Sequence, residues 1–221
     1  MNHDAPSIDT LLRSLRVWDT ELPVFDAGSA PDEPVALFAE WFGAAVAAGQ
    51  VEPHTPSLAT TDADGHADVR VVMLHGVDEG AWHFASHVGS AKGRQLAGTP
   101  YAALGFYWPV QGRQVRVRGG VRTGSAEAAR ADLHARSTGA LASALVGHQS
   151  EVLDSYEELE VASDAAWERA RREPGAVAES WTVYELLPEE VEFFQGDARR
   201  RHVRLRYRRE GDRWVKELLW P

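Results

Sequence analysis

Hydrophobic positions along the 221-residue chain fall first on a helical period and then on a two-residue one. Leu11 to Trp18 reads as a short amphipathic helix, and the Pro/Gly/Asp-rich stretch from Pro23 to Glu33 as a surface connector. Asp32 before Pro34 is a helix-start signal, because an acid caps free N–H groups and proline suits a first turn. Val35, Phe38, Trp41, Phe42 and Val46 follow near helical spacing until Gly49 ends the run. Alternation then sets in. Ser57 to Thr61, Ala67 to Leu74 and Ala81 to Ala85 read as strands of a meander, separated by turns at Asp62-Ala-Asp-Gly65 and Asp78-Glu-Gly80.

Two further strands are predicted at Tyr101 to Trp108 and Arg113 to Val121. The second sets Val115 and Val117 against Gln114, Arg116 and Arg118 at period two. Helical segments at Ala126 to Arg136, around Leu141 to Leu145 and at Asp164 to Arg172 interrupt the sheet. The chain closes with strands Trp181 to Leu186 and Val191 to Gln195. A hairpin follows, Val203 to Arg209 turning through Glu210-Gly-Asp212 into Trp214 to Leu219. Many antiparallel strands with a few inserted helices imply an α+β barrel, not a doubly wound parallel sheet. No internal repeat or low-complexity tract is present.

Hydrophobic residues make up 44% of the chain and charged residues 25%, the balance of a protein with a sizeable core. A net charge of −10 argues against a nucleic-acid partner, which needs a basic surface. The charge is uneven: Arg199, Arg200, Arg201, Arg204, Arg206, Arg208 and Arg209 crowd the last quarter, while acids gather between Glu151 and Glu190. With no cysteine, disulfides, thiolate metal sites and cysteine nucleophiles are excluded. The opening Met-Asn-His-Asp-Ala-Pro has no basic segment before an apolar run, and no stretch approaches a membrane span, so a cytoplasmic protein is expected.

Candidate chemistry begins at Arg70. It lies in Val69-Arg-Val-Val-Met-Leu74, a strand otherwise fit for burial, where a guanidinium needs either an acid such as Asp68 or a bound anion. Downstream, Ser86-His-Val-Gly-Ser90-Ala-Lys92 opens a helix with Ser90 as its cap. Free N–H groups, a hydroxyl and a lysine at a helix start suit a phosphate. Arg70 and Lys92 together supply two cations for such a dianion.

Taken in order, four segments resemble the signatures of the pyridoxamine 5′-phosphate oxidase family. They are Arg70-Val-Val-Met-Leu-His75, Gly89-Ser-Ala-Lys92, Trp108-(x)4-Arg113-Gln114-Val115, and Val191-Glu-Phe-Phe-Gln-Gly196 with Arg200-(x)-His202-(x)-Arg204. The similarity covers about Ser57 to Pro221, down to the closing Leu-Trp-Pro. It implies a six-stranded antiparallel split β-barrel over residues 51–221, preceded by a helical arm over 1–50. It also implies a homodimer with FMN at its interface and dioxygen as electron acceptor, with no metal. By the same resemblance Arg70 and Lys92 hold the FMN phosphate, and Val71, Val72, Met73, Ala85 and Ser86 line the flavin ring. Ser90, Gln114, Gln149, Ser150, Phe194 and Arg204 complete the cofactor site. Arg200 and His202 orient the substrate ring against the flavin, as the catalytic pair.

The chain departs from the pattern at several points. The family places lysine, tyrosine and serine where His75, Asp132 and Ala140 stand, and these hold the substrate's 5′-phosphate with an arginine that matches Arg136. Here an imidazole replaces a permanent cation, and a carboxylate replaces a phenol; attraction for phosphate is lost and repulsion added. Ala91 stands for an arginine often found before the lysine, and Phe194 for a tryptophan. Two substrate readings follow. Pyridoxine or pyridoxamine 5′-phosphate stands slightly ahead as the commoner family activity. A non-phosphorylated natural-product intermediate, as in phenazine-pathway oxidases, is the alternative. A third reading, a flavin- or deazaflavin-binding barrel without oxidase activity, has no use for the Arg200 and His202 pair.

Overall fold

The computed structural model describes residues 6–18, 21–78 and 80–221. Among these, the alternating segments form nine strands of one antiparallel sheet. They are β1 (Ser57–Thr61), β2 (Ala67–Val71), β3 (Gly76–Asp78), β4 (Ala81–His87), β5 (Tyr101–Trp108), β6 (Arg113–Thr123), β7 (Trp181–Gln195), β8 (Val203–Glu210) and β9 (Arg213–Leu219). The α-helices are α1 (Ile8–Ser14), α2 (Pro34–Ala47), α3 (Ala91–Gly98), α4 (Ala126–His134), α5 (Thr138–Val146) and α6 (Tyr156–Arg172). The expected α+β class with an antiparallel sheet is observed. The sheet has nine strands where the resemblance implied six, and its ladders form an open path.

That path runs β2-β1-β5-β6-β7-β4-β3, with β8 on β7 and β9 on β8. Its two end strands, β2 and β3, are joined by residues 72–75 alone. Six strand spacings of ~4.8 Å would hold them ~29 Å apart in a flat sheet, whereas the link reaches only about 18 Å. The sheet therefore curls back toward itself. Val72 and Leu74 donate backbone hydrogen bonds to Pro56 and His54, and His75 then switches to the carbonyl of His83. This change of partner ends at Val71 the strand that the sequence carries to Leu74. Within the expected turn at residues 78–80, Glu79 lies outside the described residues, as do residues 1–5.

Other boundaries move for identifiable reasons. β7 is continuous where a break was expected between Leu186 and Val191, a stretch that includes Pro188. Proline has no ladder N–H, but here it sits beside a bulge, opposite Gly119, where the β6–β7 register shifts. A Cβ on Gly119 would lie 1.9 Å from the carbonyl oxygen of Leu187, so the bulge requires glycine. Helix α6 begins at Tyr156 rather than Asp164, because Ser155 caps it and buries nothing in its first turns; only Ala166 and Ala170 are buried. Helix α1 starts earlier than expected, capped by Ser7, and also buries nothing.

The main core lies on one face of the curled sheet. Leu58, Leu104, Val117, Val191 and Tyr207 occupy one cross-strand row and are almost fully buried. Leu37, Phe38 and Trp41 from α2 pack into the same cluster. Trp41 meets Phe25 and Phe193 edge-on at 5.0 and 5.2 Å, and the Arg113 guanidinium lies 4.2 Å from the centre of its ring. A second cluster, Leu133, Leu141, Ala142, Ala144 and Ala170 with Trp181, ties the helices to the start of β7. Among the described residues no helix is long and apolar enough to cross a membrane.

Candidate functional site

Arg70 stands opposite Leu58, so its side chain extends the inward row at the sheet's edge. Its guanidinium pairs with Asp68 at 2.5 Å and donates to the Gln95 amide oxygen at 2.9 Å and to Thr60 Oγ1. The acid partner foreseen as one alternative is therefore present.

Lys92 lies in the first turn of α3. Ser90 caps that helix, accepting from the Gly93 N–H, and is itself fully buried. Gly93 is required there: a Cβ would sit 2.3 Å from the Val88 carbonyl oxygen, so only glycine lets the helix close on the preceding turn. Lys92 is 8% exposed, and its ammonium donates to Ser86 Oγ at 3.0 Å and Gln149 Oε1 at 3.5 Å, both neutral groups. Burial pushes its pKa down and the charge of Arg70 adds to that, with Asp68 opposing in part. His87 is pushed down as well, by burial first and then by Lys92. Such a buried cation with neutral hydrogen-bond partners is the environment that a bound anion would relieve.

A second group lies on the opposite face. Gln114, Phe194 and Arg204 are direct cross-strand neighbours on β6, β7 and β8, one register step away from the core-facing row. They line a cleft of about 230 Å³ with Arg116, Glu192 and Pro221. Glu192 is 5% exposed and bridges Arg204 at 2.8 Å and Arg116. Burial alone would raise the pKa of Glu192, but hydrogen bonds from Arg204 and Arg116 bring it below the usual glutamate value. A depressed folded-state pKa contributes stability that is complete above the unfolded value and is lost as pH falls through the folded one. Glu192→Gln is thus expected to cost roughly 1–2 kcal/mol at pH 7, solvent screening the exposed Arg116. Thermal melts should show the gap to the parent closing below about pH 4. A gap that does not narrow at all as the pH falls below about 4 would contradict this account.

Arg200 and His202 sit in the turn before β8. Asp197 accepts from the N–H groups of Arg199 and Arg201, and Arg200 takes a left-handed φ of 63°. His202 Nδ1 accepts from the Asp197 N–H at 3.0 Å, which leaves the ring proton on Nε2 in the neutral form. Its ring lies 5.0 Å from Phe194 and 5.2 Å from Trp18, and the Arg200 guanidinium is 5.9 Å from the Trp18 ring.

The third group joins elements far apart in sequence. His75 Nδ1 contacts Asp132 Oδ1 at 2.6 Å, the Trp181 indole N–H donates to Asp132 Oδ2 at 3.2 Å, and Arg136 reaches both His75 Nε2 and Asp132. Ala140 lies one helix later, its N–H donating to the Ser137 cap. Of the remaining expected residues, Val71 and Met73 are exposed, and Val72 packs against the core. Ala85 is partly buried beside Ser86, and exposed Ser150 takes a φ of 71°.

Several contributors went unread in the sequence. Gln95 was legible, since it follows Lys92 by three residues on one helix face. Thr60, Trp18 and Trp181 reach their groups through tertiary contacts that no local pattern encodes.

Residues 43–170 match the family described as pyridoxamine 5′-phosphate oxidase, and residues 181–221 match the pyridoxine 5′-phosphate oxidase C-terminal dimerisation region. A pyridoxine/pyridoxamine 5′-phosphate oxidase of Pseudomonas fluorescens (strain SBW25) is 41% identical over 194 residues, covering 87% of this chain and 90% of its own. The crystal structure of PhzG from Burkholderia lata 383, in complex with tetrahydrophenazine-1-carboxylic acid, superposes with a TM-score of 0.84 at 29% identity. It covers 90% of this chain and 99% of that one. A pyridoxamine 5′-phosphate oxidase-related, FMN binding protein from Nostoc punctiforme PCC 73102 shares the fold, with a TM-score of 0.71 at 20% identity over 87% of this chain and 99% of that one.

Proposed function

The chain belongs to the pyridoxamine 5′-phosphate oxidase family, and from that membership we propose that it is an FMN-dependent oxidase. It works as a homodimer, taking two electrons from a small cyclic, nitrogen-containing substrate and passing them to dioxygen. The observation that carries the cofactor assignment is Lys92, a buried ammonium with neutral partners and a second cation, Arg70, close by. Together they suit the phosphate of FMN, with the Ser86 hydroxyl and the first turn of α3 supplying hydrogen bonds. Bound there, the flavin supplies the electron acceptor. The Nε2–H of His202 and the Arg200 guanidinium would orient a heteroaromatic ring.

The two-chain site rests on register. Arg70 faces inward, whereas Gln114, Phe194 and Arg204 face outward on the same sheet. One flavin meets both sets only when a second copy brings its outward set to the first copy's inward one. The match of residues 181–221 to a dimerisation region supports the same reading. Sedimentation with flavin bound should give twice the 24.3 kDa chain mass; the monomer mass would refute a shared site.

The relatives at 41% identity favour a phosphorylated B6 ring as substrate, while the His75–Asp132 pair favours a non-phosphorylated reduced heterocycle. Oxygen uptake and anaerobic flavin bleaching over a panel of both kinds test the oxidase assignment. Bleaching followed by oxygen consumption is expected with at least one class. Flavin that stays oxidised throughout the panel would leave a carrier instead.

A further inference from the structure

We propose that the corner made by His75, Asp132, Arg136 and Trp181 selects substrates with an uncharged polar group in place of a phosphate monoester. This rests on the oxidase reading and names its substrate class.

The corner is closed by its own charges. Asp132 only accepts, so His75 must donate from Nδ1, and its Nε2 is then left to accept from Arg136. With both ring nitrogens engaged, the imidazole has no free donor to offer an entering anion. Arg136 is the one permanent cation of the corner, and its Nε lies 3.7 Å from Asp132 Oδ2. That oxygen also accepts from the Trp181 indole. Burial works against ionised Asp132, yet the hydrogen bond and charge of His75, the hydrogen bond from Trp181 and the charge of Arg136 hold its pKa below the usual aspartate value. The corner's one permanent cation thus already faces a full negative charge.

The surroundings deepen the effect. A cleft of about 640 Å³ opens onto His75 and Asp132, and its other ionisable groups are Asp78, His83, Arg122 and Glu185. His83 is paired with Asp78 at 2.7 Å and Arg122 with Glu185 at 2.5 Å. Around the cleft three carboxylates, Asp78, Asp132 and Glu185, stand against two guanidiniums, Arg122 and Arg136, so the permanent charges leave one negative charge in excess. A phosphate dianion entering there would have to displace Arg136 from both partners and lie against Asp132. A hydroxyl or amide needs neither, and can use spare hydrogen-bonding capacity of the carboxylate and guanidinium.

The test is a calorimetric titration of the flavin-loaded protein with a matched pair, pyridoxine and pyridoxine 5′-phosphate, and with inorganic phosphate as a third probe. The unmodified protein should bind the ester no more tightly than the alcohol and should ignore inorganic phosphate. Asp132→Asn keeps the shape and removes the charge. It should raise affinity for the ester about tenfold or more, and change that for the alcohol by less. His75→Lys with Asp132→Tyr should raise it further, but Asp132→Asn decides alone if the double variant does not fold. A tenfold preference for the ester in the unmodified protein, or an ester affinity within twofold of the parent in Asp132→Asn, overturns the proposal. Failure of the oxidase reading is read separately, as absence of flavin uptake. The difference between parent and variant survives that failure, because phosphate held at Arg70 and Lys92 is common to both.

Discussion

Replacing Lys92 by methionine is expected to give a protein that folds as well as its parent, or better, and purifies without flavin. The ammonium is buried against Ser86 and Gln149, with Arg70 near enough to repel it. Methionine keeps most of the apolar stem and removes the cost of a buried charge whose direct hydrogen-bond partners are neutral. The same change removes a charge-assisted hydrogen bond to the cofactor phosphate. Such bonds contribute about 1.5–3 kcal/mol, so FMN affinity should fall roughly 10- to 150-fold. Flavin-fluorescence titration and thermal melts of the flavin-free protein check the two halves. A fall in both would make Lys92 a structural residue, and the opposed signs are what mark a ligand site.

Trp41→Ala should be the most damaging single change in the main core. The ring is 3% exposed and packs edge-on against Phe25 and Phe193, with the Arg113 guanidinium over its face. Removal of a buried aromatic of this size costs about 3–5 kcal/mol, a large part of a total of ~5–15 kcal/mol. It also strips Arg113, already pushed down in pKa by burial, of its ring contact. Denaturant unfolding should show the loss, with Trp41→Phe intermediate. A loss under about 1 kcal/mol would mean that α2 is a detachable arm. The packing of Leu37, Phe38 and Trp41 makes residues 34–47 part of the main core instead.

What could be read beforehand follows from how local the cause is. β1 and β5 begin and end where the sequence places them, because clean alternation is bounded there by turn residues. Ser90 was legible as a cap for the same reason. The break expected between Leu186 and Val191 is absent, since the strand passes through Pro188 only with the help of a bulge in the β6–β7 pairing. Three-residue β3 exists only because β4 pairs with it. The cations Arg70 and Lys92 were visible as residue types in unusual places. Their partners were less so: Asp68 lies two residues from Arg70 and was foreseen, whereas the Trp181 contact to Asp132 spans 49 residues. That Arg70 and Arg204 face opposite sides of the sheet follows from strand register, which hydrophobic spacing alone left open.

Fluorescence titration of FMN with the purified, flavin-free protein tests the central claim most directly. Quenching should saturate at one flavin per chain and weaken sharply in Lys92→Met. Flavin emission that stays unchanged with protein in excess would contradict the cofactor site, and with it the oxidase.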